Sequence, residues 1–147
     1  MNFLYKFLIS FCYVGYVKYA PGTVTSLLLL ILFYFIPNNV ITQSIFLLGI
    51  CLLGFILCYY HSKNSAIKDP SFIVIDEVAG MSLSLFMIPK EIHLYILSFI
   101  LFRVFDIFKP LIINKSQKIN FGIGIMLDDL LSGLFTIIIL WSWIYIL

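Results

Sequence analysis

Residues 71–88 read SFIVIDEVAGMSLSLFMI. Only Val78 to Ile88, eleven residues, is free of charge and mainly apolar, whereas crossing hydrocarbon takes about 20 helical residues. A spanning helix here must begin near Ser71 and carry Asp76 and Glu77 in its first turns. A charge at the bilayer centre costs about 2.5–3.5 kcal/mol or more, so intramembrane carboxylates are functional by default. Asp76 and Gly80 lie four residues apart on one helical face, with Glu77 beside them, and the small residue allows close helix approach.

The rest of the chain repeats this pattern. Ile92 to Phe102 is again an eleven-residue apolar run that reaches full span only by including Arg103 and Asp106. A third run, from about Leu130 to Leu147, starts at Asp128 and Asp129. Two further runs are Thr23 to Ile36, closed by Pro37, and Val40 to Tyr60, 21 residues without a charge. The expected fold is all-α: a polytopic membrane helical bundle, one domain over residues 1–147, with about five transmembrane or membrane-embedded helices after an N-terminal helix.

Alternating these helices across a bilayer places the clustered carboxylates Asp76, Glu77, Asp106, Asp128 and Asp129 on one side. Lys6, Lys18, Lys63, Lys68, Arg103, Lys109, Lys115 and Lys118 fall on the same side, and only Lys90 lies opposite. The positive-inside rule makes that face cytoplasmic. The expected location is the inner (cytoplasmic) membrane.

Composition agrees: 63% of residues are hydrophobic and 11% charged, with a mean hydropathy of +1.11. The apolar N-terminus, MNFLYKFLISFCYV, has a lysine in its middle and no small-residue cleavage site after it, so an interfacial or buried helix is expected there rather than a secretory signal. Cys12, Cys51 and Cys58 have neither metal-ligand spacing nor an even count, and read as structural. A scattered net charge of +2 argues against nucleic acid as a partner.

Two more segments bear on chemistry. FRVFDIFKP, residues 102–110, sets Arg103, Asp106 and Lys109 at three-residue steps along one surface, and Pro110 should end or kink the helix. KYAPGTVTS, residues 18–26, joins a Pro-Gly turn to Thr23, Thr25 and Ser26 at a helix start, where amides and hydroxyls hold anions. Gly122 and Gly124 in FGIGIM precede the acidic pair as a further backbone-shaped site. Plainer readings exist: first-turn acids favour the helix dipole, Arg103 and Asp106 pair within one helix, and threonines and serines cap. Five carboxylates and two cations on one face exceed what capping and a single ion pair need. The set suits a divalent ion of the Mg²⁺ type shared with a phosphate. Zinc is disfavoured, since His61 and His93 fall on opposite faces of this topology.

The ordered motifs APGTVTS, IVIDEVAGM, FRVFDIFKP and GIGIMLDDLLSG resemble the phosphatidylglycerophosphatase A family over about Gly15 to Gly133. The resemblance implies a Mg²⁺-dependent membrane phosphatase that converts phosphatidylglycerophosphate, a phospholipid substrate, to phosphatidylglycerol and inorganic phosphate. It implies Asp76, Glu77, Asp106, Asp128 and Asp129 as catalytic and metal-binding residues and Lys109 as the matching cation, with Asp69 as a companion. The chain departs from the family at Ile112, where a proline is common, at Gln117, near which an acid is common, and at Phe121, where a Gly-Gly pair is common. On this view some of the five carboxylates hold one or two Mg²⁺ ions, while Arg103, Lys109, Thr23 and Ser26 bind the substrate phosphate. Water is the expected nucleophile, since the DxDx[TV] loop of soluble aspartyl phosphatases is missing. Two rivals share some parts: a CDP-alcohol phosphotransferase, whose DGxxAR-type signature is absent, and a small carboxylate-based ion transporter, which needs no Arg103 and Lys109.

Overall fold

The computed structural model describes residues 3–65, 70–109, 113 and 122–146. Asp69, Lys68, Pro110, Ile112, Lys115, Gln117, Lys118 and Phe121 lie outside them. Six α-helices, and no strand, occur among the described residues: α1 (Phe3–Ile9), α2 (Pro21–Phe35), α3 (Val40–Asn64), α4 (Ile75–Ser84), α5 (Ile92–Phe108) and α6 (Ile123–Ile146), with a 3₁₀ turn at Val14–Tyr16. Among the described residues, five of these helices follow the N-terminal one. By length and composition, α3 and α6 are long and apolar enough to cross a membrane.

Local chemistry sets the boundaries. Pro21 opens α2 at its first turn, after Ala20 in a left-handed conformation, and Ile36 is extended because Pro37 follows. Asn39 caps α3, its side chain accepting the Thr42 amide at 2.8 Å. Tyr5 and His61 are in hydrogen-bond contact at 2.9 Å, which fastens α1 against α3.

Helix α4 is shorter than the span expected from Ser71 to Ile88. At ten residues it is about 15 Å long, half the thickness of the hydrocarbon. Residues 71–72 form a turn, and the Ile73 amide donates to the Pro70 carbonyl at 3.0 Å. The Val74 amide donates to Ile9 at 3.2 Å, which ties this entry to α1. At the other end the chain turns through Met87, at φ 57. The apolar character is that of a helix buried on every side, and only Glu77 and Leu83 of α4 escape full burial. It is the centre of the bundle, packed against α2, α3, α5 and α6.

Helix α6 starts at Ile123 rather than near Leu130, so Asp128 and Asp129 sit in its second turn instead of at its entrance. Both are buried, Asp129 against the acids of α4 and Asp128 against Lys109 at the end of α5. Against α4 the two backbones nearly touch: a Cβ on Gly133 would lie 2.3 Å from the Gly80 carbonyl oxygen, and one on Gly80 would lie 2.5 Å from that of Asp129. Small residues give helices this approach in membranes.

A polar clamp closes the opposite end. Fully buried Gln43 donates from Nε2 to Asn38 Oδ1 at 2.9 Å and accepts the Met87 amide at 2.7 Å. Gln43→Leu should leave that amide unpaired and lower stability by about 1–3 kcal/mol. Thermal unfolding in detergent reads this directly, and an unchanged midpoint would contradict the clamp.

Candidate active site

Four helices converge on one cavity of about 430 Å³. The first turn of α2 contributes residues up to Thr23, the link before α4 contributes Ser71 and Ile73, and α4 contributes Asp76 and Glu77. Arg103, Asp106 and Ile107 come from the end of α5, Lys109 from its cap, and Asp128 and Asp129 from α6. All five carboxylates singled out in the sequence therefore meet, although they come from three helices.

The seven charged side chains divide into two groups. Arg103 Nη1 lies 2.7 Å from Asp106 Oδ2, and Lys109 Nζ lies 2.5 Å from Asp128 Oδ2 and 3.9 Å from Asp106 Oδ1. Both cations are thus held by Asp106 and Asp128. Lys109 caps α5 in a left-handed conformation, its amide donating to Phe105 at 2.9 Å. Burial alone would lower the Lys109 pKa, but the hydrogen bond to Asp128 and the charges of Asp128, Asp106 and Asp129 outweigh it, and the pKa is raised. The ammonium is therefore kept charged.

Asp76, Glu77 and Asp129 form the second group, with one oxygen from each within 4.8 Å of the others. Asp76 Oδ1, Glu77 Oε2 and Asp129 Oδ2 are buried and have no hydrogen-bond partner. Three such carboxylates without a cation are costly in a low-dielectric site. Hard oxygen donors converging in this way suit a divalent cation such as Mg²⁺ or Ca²⁺. No His or Cys belongs to the group among the described residues. His61 is buried against Tyr5, and exposed His93 pairs with Glu91 at 3.3 Å.

The α2 turn closes on this group. A Cβ on Gly22 would lie 2.0 Å from Glu77 Oε1 and 3.3 Å from Arg103 Nη1. Thr23 lines the cavity, whereas Ser26 does not. Ser26 is fully buried behind Arg103, with its hydroxyl 3.5 Å from Nη1 while donating to the Gly22 carbonyl at 2.8 Å. Neither Gly122 nor Gly124 lines the cavity. Gly122, at φ +72, abuts α3, where a Cβ would lie 2.2 Å from the Cys58 carbonyl oxygen. That glycine serves a turn and packing. Sequence reasoning missed Ser71, Ile73 and Ile107 as cavity walls. The only signal for them was their adjacency to the acidic motifs.

The fold and site define an all-helical, membrane-associated protein built around a buried carboxylate cluster with two cations at its edge. The family model described as phosphatidylglycerophosphatase A matches residues 7–144. A Haemophilus influenzae protein named phosphatidylglycerophosphatase A is 37% identical over 133 residues, covering 87% of this chain and 81% of its own. The Escherichia coli K12 protein of the same name is 33% identical over 118 residues, covering 77% and 67%. A Bacteroides thetaiotaomicron protein named "Putative phosphatidylinositol-3-phosphatase" is 33% identical over 135 residues, covering 86% and 84%. No solved structure matches. The chain belongs to the phosphatidylglycerophosphatase A family, and it is a phosphoric monoester hydrolase.

Proposed function

We propose that this protein removes the terminal phosphate of phosphatidylglycerophosphate in a Mg²⁺-dependent reaction, working from the cytoplasmic face of the inner membrane. The observation that carries the reading is the pairing of a cation-deficient carboxylate triad with two cations in one cavity, in a chain of this family. The distribution of lysines supports the orientation, and α3 and α6 supply spans that hold the shorter helices in the membrane.

Asp76, Glu77 and Asp129 would hold Mg²⁺, with Asp106 and Asp128 lining the same cavity. Bound there, the ion supplies charge neutralisation and polarisation at the phosphoryl group. Arg103 offers a buried Nε without a partner, and Lys109 offers an ammonium kept charged by Asp128. Both can receive phosphate oxygens whose charge redistributes in the transition state. Asp106 and Asp128 orient these cations before substrate arrives, and Ser26 braces Arg103 from behind. Thr23 and the uncapped start of α2 add donors at the same wall. A water oxygen bonds to phosphorus as the ester P–O bond breaks. A cavity carboxylate takes one proton from the water and a proton is handed on from the cavity acids to the leaving oxygen, so that phosphatidylglycerol departs as the alcohol and inorganic phosphate keeps the water oxygen.

Purified protein in detergent should release inorganic phosphate from phosphatidylglycerophosphate with Mg²⁺, and lose that activity with a chelator. Phosphatidylinositol 3-phosphate, assayed in parallel, should be the poorer substrate. No release from the former under any condition would overturn the proposal. Undiminished release in chelator would overturn its metal dependence.

A further inference from the structure

A second, apolar groove of about 290 Å³ lies between α2 and α5 at the bundle end away from the carboxylates. Its walls include Ile31 and Tyr34 of α2 and Ile92, Tyr95 and Ile96 of α5. Tyr34 and Tyr95 pack edge to face at 5.7 Å, and among the described residues no charged side chain lines the groove.

Helical periodicity joins this groove to the carboxylate cavity. On α5, Ile92, Ile96, Phe99, Arg103 and Ile107 follow at steps of three or four residues, so they share one face. On α2, Thr23, Leu27, Ile31 and Tyr34 do the same. The first members of one series and the last of the other line the groove, while Arg103, Ile107 and Thr23 line the cavity. Between the two ends this pair of faces offers Leu27 and Phe99, both apolar. Leu27 is half-exposed, as are Ile31 and Ile96. From Arg103 to Ile92 the rise along α5 is about 16 Å, close to the depth of one leaflet, about 15 Å.

From this continuity we infer that the α2–α5 seam is the docking track for an acyl chain of the lipid whose phosphate occupies the cavity. The inference rests on the phosphatase reading above. The occupant follows from chemistry and linkage: the track begins at the cavity cations Arg103 and Lys109, continues through apolar side chains, and leaves Leu27, Ile31 and Ile96 half-exposed. A tail tethered to a headgroup already bound at Arg103 meets the groove at a high effective concentration. The entropy of finding it is largely spent.

Two measurements test the track. In the first, Leu27→Trp and Ile96→Trp fill it, and kcat/KM is measured on long-chain phosphatidylglycerophosphate and on its short-chain analogue. The long-to-short ratio should fall about tenfold, the loss expected when about two methylenes leave an apolar site. Ile138→Trp, on the outer face of α6, should leave the ratio at the wild-type value. A ratio unchanged in both track variants would overturn the inference. The second measurement is independent of turnover: long-chain phosphatidylglycerophosphate with a photoreactive group at mid-chain should label peptides containing Leu27, Phe99 or Ile96. Labelling confined to α3 or α6 would overturn the track, and so would an Ile96→Cys variant that forms disulfide dimers in membranes, which would assign this face to a second copy. Labelling of the track by a protein that releases no phosphate would instead retain the groove and refute the phosphatase reading.

Discussion

Asp129→Asn should abolish phosphate release while leaving a folded, membrane-inserted protein. The carboxylate is nearly fully buried, one of its oxygens has no hydrogen-bond partner, and it shares a tight triad with Asp76 and Glu77. The amide keeps the shape but removes the charge that a divalent cation needs. Metal stabilisation of a transferring phosphoryl group is worth several kcal/mol. At about 1.4 kcal/mol per factor of ten, a loss of about 4 kcal/mol is roughly a thousandfold in rate. A second readout separates this from damage to the fold. Wild-type protein should melt at a higher temperature as Mg²⁺ is added, because a ligand of the native state stabilises it by mass action. The variant should lose that dependence. In chelator it should melt no lower than wild type, since a neutral amide replaces an acid crowded by Asp76 and Glu77. Full activity in Asp129→Asn would show that the triad is not the centre of the reaction.

The next largest effect is expected at a residue with no functional group. Gly133→Val places a branched side chain where the first carbon alone would come within 2.3 Å of the Gly80 carbonyl and 3.3 Å of Leu83 Cβ. A backbone carbonyl in a helix cannot swing aside, so α6 must move away from α4. Overpacking costs about 1–3 kcal/mol or more, and here it also separates Asp129 from Asp76 and Glu77. Stability and phosphate release should therefore fall together, read by thermal unfolding and by the phosphate assay. Gly49 gives the control, because a Cβ there meets nothing within 4 Å. Gly49→Ala should be neutral or stabilising by up to about 1 kcal/mol, the helix preference for alanine. A Gly133→Val protein as stable and active as wild type would refute the close α4–α6 contact as the basis of the site.

The carboxylates were legible in the sequence because charge is scarce in so apolar a chain, and clustering there is conspicuous. Their division of labour was not. Asp128 and Asp129 are adjacent in sequence, yet Asp128 holds Lys109 from another helix while Asp129 joins the α4 acids. That depends on how α6 is rotated against α4 and α5, which local spacing does not specify. The all-helical character of the described residues was readable from apolar runs and prolines, whereas only α3 and α6 are long and apolar enough to cross a membrane. The length of α4 was not, because an apolar run bounded by acids is the same pattern whether lipid or four other helices cover it. The start of α6 was hidden for a related reason: buried aspartates were read as an entrance when they lie inside the helix. Ser26 was legible as a helix-start hydroxyl, but its place behind Arg103 depends on a contact between residues 77 positions apart.

The central position of α4 also constrains how the protein can be made. During synthesis α4 leaves the ribosome before α5 and α6, yet α6 supplies the surface against which Gly80 packs and the third acid of the triad. A nascent chain that stops short of α6 has α4 covered by α2 and α3, but the side that carries Gly80 and turns its acids toward Asp129 stays open. The carboxylate triad is then complete only once α6 is in place, so its assembly and the closing of the bundle coincide.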